Sequence, residues 1–538
     1  MSSLGRASAL LAAGTMISRI TGVLRSIVLV AVVGAVASSS ADAFAVANQL
    51  PNDVFQLISV GVLTAVIVPQ IVKAATARDG GNAFISKLFT LGTVLLLITT
   101  GIATLAAPWL VSLAADGTAA QQALATAFAY WCLPQIFFYG VYALVGETLN
   151  ARRIFGPFTW APIANNIISI IGFLAIIVVF GTDLSEVDQW TPGMIAALGG
   201  TATAGIAVQA AILLFFWKHT GIRLRPDFHW RGVGLGEIGR LAGWTFLMAL
   251  VSVIAGFVQT RIAYWASDAG SSVAVMMNAW LVFMLPYSVI VHSIGTPYFT
   301  QLSEHAVAGR HEDVRRDISR SIRTLGFFLM GALAAVVAAC VPASRVFTRS
   351  SGDAVEAAVV LLCYLAGLVS LAVLFIVQRT FYAYGDTRTP FWFTLFQCVV
   401  IAATALGAGA LVKAEVLPLQ FLAAGIALGQ SIAGTLQTIV ATWLLHRRLG
   451  TIGTVTWMKA LGRFAVAAAP AALAGWTVFL LMGGVSGWTA SSQLMGAVGA
   501  ATIGLVAVAV YVAVLAVLRA PELSVASGLV KRLLPTRR

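Results

Sequence analysis

The sequence predicts an all-α, polytopic membrane protein with about fourteen transmembrane helices. Of its 538 residues, 59% are hydrophobic and only 10% are charged, whereas about a quarter of the residues of a soluble domain are charged. Apolar runs of about 20 or more residues recur along the chain, and each is long enough to cross a hydrocarbon core of about 30 Å. The first run is too long for a signal peptide and contains Arg19 and Arg25, so we expect it to remain as a membrane helix.

The apolar runs fall into three groups along the chain. Six helices are predicted near 9–37, 43–75, 84–114, 120–150, 157–181 and 191–217. Six more are predicted near 235–266, 272–305, 319–342, 353–384, 388–412 and 417–446, and a final pair near 457–483 and 491–518. We therefore expect an N-terminal lobe over 1–220, a C-terminal lobe over 221–450, and two additional helices with a tail over 451–538.

A faint internal repeat favours two lobes with the same orientation. Val54-Phe55-x-Leu57, with Pro69 after it, realigns on Val282-Phe283-x-Leu285, which is followed by Pro297 at the matching distance. Gly156-Pro157-Phe158 realigns in the same way on Thr389-Pro390-Phe391, and both motifs open a predicted helix. Two lobes of the same orientation are a common plan among transporters.

The positive charges predict the topology. If the amino terminus is cytoplasmic, the great majority of the 33 Lys and Arg residues fall in cytoplasmic segments, as the positive-inside rule requires. Only Arg345, Arg349 and Lys413 fall in external loops. We therefore expect a plasma-membrane protein with both termini in the cytoplasm and with the acidic loop 183–188 outside.

Composition also excludes several classes of function. The four cysteines stand singly in apolar runs and have no neighbouring histidines, so we interpret them as small buried hydrophobic residues and expect no metal site. The net charge of +13 belongs to no soluble basic domain, and we expect no nucleic-acid partner. Without a P-loop, an HExxH motif or a Ser/His/Asp arrangement, the sequence predicts no catalytic residues, no enzyme activity and no cofactor.

Two arginines in the first predicted helix are the strongest functional signal. Each charged residue at mid-bilayer costs roughly 2.5 to 3.5 kcal/mol on insertion scales, so Arg19 and Arg25 call for a compensating role. We interpret them as an anion site in a wet cavity, because guanidinium groups bind phosphate oxygens in pairs. The alternatives are that they reach an interface or pair with Asp42 or Asp53. The two lie about 120° apart around a helix, and a bend at Gly22 would bring them to one face.

Polar residues near the second helix are further candidates. Asp42 stands where that helix begins, so it either lines the cavity or interacts with the helix end. Asp53 follows Pro51 and Asn52 well inside the span, and Pro51 can interrupt the helical hydrogen bonds there.

Three charged residues elsewhere complete the set. Glu147, at the end of the fourth helix, either has a gating or structural role or pairs with Arg152 or Arg153. Arg261 in the seventh span and Arg379 in the tenth are the candidates of the second lobe for the same cavity, with an interfacial position as the alternative.

Several motifs resemble the MurJ (MviN) family of lipid II flippases, over most of the chain. They are Ser18-Arg19-x-x-Gly22-x-x-Arg25, Asp42-Ala43-Phe44, Leu50-Pro51-Asn52, Val68-Pro69, Gly146-Glu147-x-Leu149-Asn150-Ala151 and Phe381-Tyr382-x-x-x-Asp386-Thr387-x-Thr389-Pro390. The segment from Asn278 to Tyr287 resembles the actinobacterial branch in particular. The family belongs to the multidrug/oligosaccharidyl-lipid/polysaccharide exporter superfamily. The resemblance implies two six-helix lobes around a central cavity, with two additional C-terminal helices.

This resemblance implies specific roles for individual residues. Residues matching Arg19, Arg25 and Asp42 are cavity residues on which the family's function depends. Two further family arginines are missing here, because their positions align with Phe55 and Leu281. We therefore expect any second half of the anion site to come from Arg261 or Arg379.

The resemblance also implies a substrate and partners. The expected substrate is lipid II, an undecaprenyl diphosphate-linked disaccharide-peptide used in cell wall biosynthesis, and the other partners are membrane lipids and cell-wall synthesis proteins. The membrane potential, Na⁺ or H⁺ can supply the energy. The alternatives are a flippase for another polyprenyl-linked glycan, a cation-coupled drug antiporter of the same superfamily, and a non-transporting membrane scaffold.

Overall fold

The computed structural model describes residues 3–59, 82–152, 154, 156–228 and 235–523, and within these ranges it is all-α as predicted. The described residues of the first part of the chain form nine α-helices. They are α1 (Ser3–Val33), α2 (Ser39–Ile58), α3 (Asn82–Leu105), α4 (Ala107–Ala114), α5 (Ala119–Cys132), α6 (Gln135–Ala151), α7 (Gly156–Phe180), α8 (Pro192–Phe216) and α9 (Leu235–Ala263).

Ten helices follow in the second part of the chain. They are α10 (Val273–Ile290), α11 (Thr296–Val307), α12 (His311–Ala338), α13 (Cys340–Arg345), α14 (Ser351–Leu365), α15 (Leu368–Ala383), α16 (Arg388–Lys413), α17 (Leu422–Leu449), α18 (Thr454–Leu481) and α19 (Gln493–Val517). The two proline motifs of the predicted repeat open α7 and α16, as expected.

The number of membrane-spanning helices agrees with the sequence. Among the described residues, 13 helical segments are long and apolar enough to cross a membrane. The remaining predicted span, 43–75, begins in α2, and its part from 60 onward lies outside the described residues. The protein is therefore a multi-pass membrane protein with the predicted arrangement of helices.

Several predicted helices are interrupted. The predicted helix 120–150 is divided into α5 and α6 at Pro134, which has no N–H to donate. The predicted helix 353–384 is divided into α14 and α15 at Gly367. The predicted helix 272–305 consists of α10, a π-helical turn over Val291–Gly295, and α11. Hydropathy cannot detect these breaks, because the residues on both sides remain apolar.

The largest difference between a predicted and an observed helix start is at the ninth predicted span. We expected it at 319, but α12 begins at His311. Its first turns carry Glu312 and Asp313, which are favourable near a helix N-terminus but end an apolar run.

Contacts divide the chain into two compact units, Met1–Ala274 and Val275–Arg538. This division places α9 with the first unit, whereas the repeat places it in the second lobe; the lobe boundary at 220 stays a prediction. Inside the first unit, α7 packs against both α1 and α8. The approach of α7 and α8 is close at Gly172, where a Cβ would lie 2.1 Å from the Thr201 side chain.

Inside the second unit, the two C-terminal helices α18 and α19 pack on α12. Buried aromatic residues from the three helices, Phe327, Phe464 and Tyr511, form the centre of this contact. The Tyr511 hydroxyl donates a hydrogen bond of 2.9 Å to the carbonyl of Phe327. Beyond α19, Glu522 accepts hydrogen bonds from Arg323 at 2.7 Å and from Arg463 at 2.5 Å. The chain after α19 is thereby held to α12 and α18.

Candidate anion site

Arg19 and Arg25 lie on α1, which is anchored against α7. The side-chain amide of Asn166 on α7 donates hydrogen bonds to the carbonyl of Ser18 at 3.1 Å and to the hydroxyl of Thr21 at 3.0 Å. The helix continues through Gly22 without interruption from Ser3 to Val33. This contact fixes the rotation of α1 on either side of Arg19.

The two arginines differ in exposure, and neither pairs with a carboxylate among the described residues. Arg19 is exposed and Arg25 is half-buried. Asp42 and Asp53, the predicted partners, are hydrogen-bonded to other residues. The alternative of pairing with Asp42 or Asp53 is therefore wrong in this conformation, and both guanidinium groups remain available for an anion.

Tyr139 of α6 is a polar neighbour of Arg25 that sequence reasoning missed. Its hydroxyl and the guanidinium interact electrostatically. Its ring stacks on Phe55 of α2, with centroids 5.7 Å apart and an interplanar angle of 29°. Phe55 occupies the position where the resemblance leads us to expect an arginine. Here that position supports the neighbour of Arg25 through an aromatic contact instead of adding a second charge.

A buried polar group precedes Tyr139 by one turn on the same face of α6. The amide nitrogen of Gln135, a fully buried residue, donates to Asn48 at 3.2 Å and to Thr203 at 3.1 Å. These bonds connect α6 to α2 and α8, so the helix that carries Tyr139 is fixed on both sides.

Asp42 is fully buried, and both of its oxygens accept hydrogen bonds. Ser267 Oγ donates to one at 2.7 Å, and the backbone N–H of Ala274 donates to the other at 2.7 Å. The N-terminal cap of α2 is Ser38, which accepts from the N–H of Ala41. Asp42 therefore does not cap α2. It binds the segment 267–274 that follows α9.

The loop before α2 is hydrogen-bonded to two other segments of the chain. We predict all three segments to be external. The N–H of Ala37 donates to the carbonyl of Gly270 at 2.9 Å, and Ser40 Oγ donates to the carbonyl of Leu184 at 2.5 Å. Asp42 thus belongs to a hydrogen-bonded cluster made by residues 34–42, 183–188 and 267–274.

The other candidates on α2 and α6 have more local surroundings. Pro51 is buried inside α2, Asn52 is exposed, and Asp53 accepts a 2.8 Å hydrogen bond from Gln49 one turn earlier. Glu147 is half-buried near the end of α6 and interacts electrostatically with Tyr142. Its predicted partner Arg153 lies outside the described residues.

Arg261 has a protein partner. Its guanidinium pairs with Asp116 at 3.1 Å and donates to the carbonyl of Ser112, and Trp265 Nε1 donates to the second oxygen of Asp116 at 3.0 Å. These contacts join the end of α9 to the loop after α4. Arg261 would have to leave Asp116 in order to bind an anion with its whole guanidinium.

Arg379 belongs to the second unit and lies on α15. It is half-buried, with its guanidinium 5.0 Å from the ring centroid of Phe299 and 5.2 Å from that of Phe375. Tyr287 interacts with it electrostatically. It pairs with no carboxylate among the described residues, so it resembles Arg25 in having aromatic neighbours and an uncompensated charge.

Leu281, the other position where a family arginine is expected, lies half-buried on α10.

Over the described ranges, His, Cys, Asp and Glu form no group of three or more that could hold a metal ion. The four cysteines are free; three are buried and Cys363 is half-buried.

Known proteins resemble this chain over most of its length. It matches the family model for "Lipid II flippase MurJ" over residues 30–499. The "Probable lipid II flippase MurJ" of Rhizobium meliloti (strain 1021) is 27% identical over 547 residues, which cover 96% of this chain and 94% of the relative. The protein of the same name from Synechocystis sp. is 24% identical over 485 residues, covering 88% and 87%.

Solved structures share the fold. A lipid II flippase MurJ in an inward closed conformation has a TM-score of 0.71 at 17% identity, covering 94% of this chain and 98% of that one. An inward-facing multidrug resistance transporter of the MATE family has a TM-score of 0.62 at 16% identity, covering 83% and 99%. Because the family model extends over more than four-fifths of the sequence, the chain belongs to the lipid II flippase MurJ family.

Proposed function

We propose that this protein is a lipid II flippase, which moves the undecaprenyl diphosphate-linked disaccharide-peptide from the cytoplasmic to the outer leaflet for cell wall biosynthesis. Family membership supports the substrate class. The structural observation that carries the mechanism is the pair of α1 arginines without a carboxylate partner in the described residues. No bond is made or broken, so the protein acts as a transporter and not as an enzyme.

Arg19 and Arg25 bind the diphosphate in this proposal. A guanidinium donates two parallel hydrogen bonds to phosphate oxygens, which suits a ligand whose charge is concentrated in one group. The cost of placing two arginines in a membrane helix is compensated when the anion binds between them and a wet cavity surrounds both. Tyr139 positions Arg25 and offers a further donor from its hydroxyl.

Alternating access then exposes the head group on the other side while the lipid tail stays in the bilayer. Two negative charges that leave a negative interior gain roughly 4 to 5 kcal/mol per 100 mV of membrane potential. The membrane potential can therefore drive the step, and the gain shrinks if the arginines move with the anion. Coupling to Na⁺ or H⁺ is the alternative source of energy.

Both termini face the cytoplasm in the proposed topology. The distribution of Lys and Arg supports this orientation. The hydrogen bonds among segments 34–42, 183–188 and 267–274 agree with it, since all three are assigned to the outer side. Asp42 then stabilises the outer end of the first unit in this conformation, and its release would accompany a change of state.

In the second unit, Arg379 is the better candidate for the anion. It has no carboxylate partner in the described chain, whereas Arg261 is paired with Asp116.

The candidates for gating or structural roles are Pro51, Asn52, Asp53 and Glu147. Asp53 and Glu147 are half-buried, which is compatible with a wet surrounding.

Two related functions remain as alternatives. A flippase for another polyprenyl-linked glycan would keep the arginines and change the sugar contacts. A cation-coupled drug antiporter shares the fold, but a pump that exports cations requires carboxylates in its site. The uncompensated arginines on α1 therefore favour an anionic substrate.

Substrate binding by the purified protein tests this proposal. We expect native mass spectrometry to detect bound lipid II, and Arg19→Ala or Arg25→Ala to weaken binding roughly 10- to 100-fold, the effect of losing a hydrogen bond to a charged group. Arg261→Ala is the matched control and should bind like wild type, and Arg379→Ala tests the second unit. Equal binding by wild type and both α1 variants would refute the anion site, and preference for a different lipid-linked glycan would refute the substrate.

A further inference from the structure

A cavity of about 630 Å³ lies within the second unit, among α15, α17 and α18. Its walls are predominantly apolar and include Val373, Ile439, Trp443 and Leu461. Ile439 is 59% exposed and Trp443 is 49% exposed, so the cavity opens on the outer surface of the helices. The volume is in the range of sites that bind an organic ligand.

Two polar atoms in the wall of this cavity have no partner among the described residues. They are the indole nitrogen of Trp457 on α18 and the hydroxyl of Thr442 on α17, and both atoms are buried. Trp457 as a whole is 7% exposed. A buried donor without an acceptor costs about 1 to 3 kcal/mol. Such groups are normally paired, so they indicate an acceptor supplied by a ligand.

A cationic side chain lies at one end of the cavity. The guanidinium of Arg447, at the end of α17, lies 3.9 Å from the ring centroid of Trp443, which lines the cavity. The lining residue next to Arg447 in the sequence is His446. The site therefore combines an apolar chamber, buried donors and a cationic rim.

We propose that this cavity binds an anionic glycerophospholipid of the surrounding membrane. One acyl chain lies along the apolar wall, an ester carbonyl accepts hydrogen bonds from Trp457 and Thr442, and the phosphate meets the rim at Arg447. A polyprenyl phosphate does not satisfy the same site, because it has no ester carbonyl between its hydrocarbon chain and its phosphate to accept from the two donors. The ligand is thus distinct from the lipid II of the proposed function, and this inference does not rest on that function.

A lipid in this position has a structural consequence. The C-terminal helix α18 forms the wall of the cavity opposite α15 and α17. The lipid fills the space between α18 and these two helices, so it stabilises α18 against the rest of the second unit.

Titration of delipidated protein with defined lipids tests the proposal. Native mass spectrometry would be performed with phosphatidylglycerol, phosphatidylcholine and undecaprenyl phosphate as probes. We expect Trp457→Phe and Thr442→Val each to weaken phosphatidylglycerol binding about two- to tenfold, as expected for one lost hydrogen bond. Arg447→Gln should remove the preference for phosphatidylglycerol over phosphatidylcholine.

Controls on the same helix separate the site from a general effect of substitution. The control substitutions are Trp476→Phe and Thr477→Val, at residues of α18 that do not line the cavity. The Thr477 hydroxyl already donates a 2.6 Å hydrogen bond to the carbonyl of Leu473 in its own helix. Both should bind like wild type. Ile439→Trp places bulk in the opening at an exposed position and should also lower binding. Unchanged phosphatidylglycerol binding in the Trp457, Thr442 and Ile439 variants overturns the proposal, as does preferential retention of undecaprenyl phosphate.

Discussion

The ring of Phe55 stacks on the ring of Tyr139 at a centroid distance of 5.7 Å, and the Tyr139 hydroxyl interacts with Arg25. Phe55 stands where the MurJ resemblance places an arginine. The aromatic pair packs the ring of Tyr139, the neighbour of Arg25, and adds no second positive charge.

The aromatic pair predicts a measurable coupling between α2 and α6. Stacked rings contribute about 0.5 to 1.5 kcal/mol beyond their buried area, so a double-mutant cycle with Phe55→Leu and Tyr139→Leu should give a coupling free energy of that size. Unfolding by denaturant in detergent measures it. Phe396→Leu, at a 40% exposed phenylalanine, is the control and should show no coupling to Tyr139→Leu. Additive effects of Phe55→Leu and Tyr139→Leu would contradict the contact.

Removal of the Asp42 carboxylate should destabilise the outer end of the first unit. Asp42→Ala leaves the buried N–H of Ala274 without its acceptor, which costs about 1 to 3 kcal/mol. Asp42→Asn should cost less, since its amide oxygen can still accept from Ala274. The melting temperature should therefore be highest for wild type, lower for Asp42→Asn and lowest for Asp42→Ala. Asp188→Ala, in the exposed loop, should match wild type, and a flat ranking at position 42 would contradict the role.

Asp386, between α15 and α16, predicts a dependence of stability on pH. Burial alone would raise the pKa of Asp386, but hydrogen bonds from Thr389 and the ion pair with Arg448 at 2.5 Å outweigh it and lower the pKa below its ordinary value. A carboxylate with a lowered pKa contributes stability above its unfolded pKa and loses it as pH falls through the folded pKa.

The difference in melting temperature between wild type and Asp386→Asn should therefore be largest near neutral pH and should shrink below about pH 4. Asp188→Asn, in the exposed loop, should show no such trend. A difference that stays constant from neutral to acidic pH would contradict the lowered pKa.

Accessibility of single cysteines tests the topology. In a variant without the four native cysteines, Glu186→Cys should react with an impermeant maleimide added to intact cells. Arg447→Cys, which is exposed at the end of α17, should react only after permeabilisation. The opposite pattern of labelling would reverse the orientation proposed for the termini.

Hydropathy predicted the number and order of the helices for two reasons. A membrane span must form its backbone hydrogen bonds internally, and it must be apolar over a length that crosses the bilayer. It did not predict the breaks at Pro134 and Gly367, since a break in the middle of an apolar run leaves the composition unchanged. The π-helical turn over Val291–Gly295 was missed for the same reason.

The candidate site could be predicted only where charge marked it. Arg19 and Arg25 were evident because a charge in a membrane helix is costly. Tyr139 was not, since an aromatic residue in an apolar helix resembles any packing residue. The partners of Asp42 are more than 200 positions away in the chain, and only the fold brings Ser267 to its carboxylate.

Depletion of the protein in its native bacterium, with the accessibility of lipid II on the outer leaflet as the readout, tests the central claim most directly. We expect depletion to remove accessible lipid II, wild type to restore it, and Arg19→Ala and Arg25→Ala to fail at equal expression. Normal surface lipid II after depletion would contradict the flippase function. Full rescue by both variants would show that the two arginines do not form the anion site.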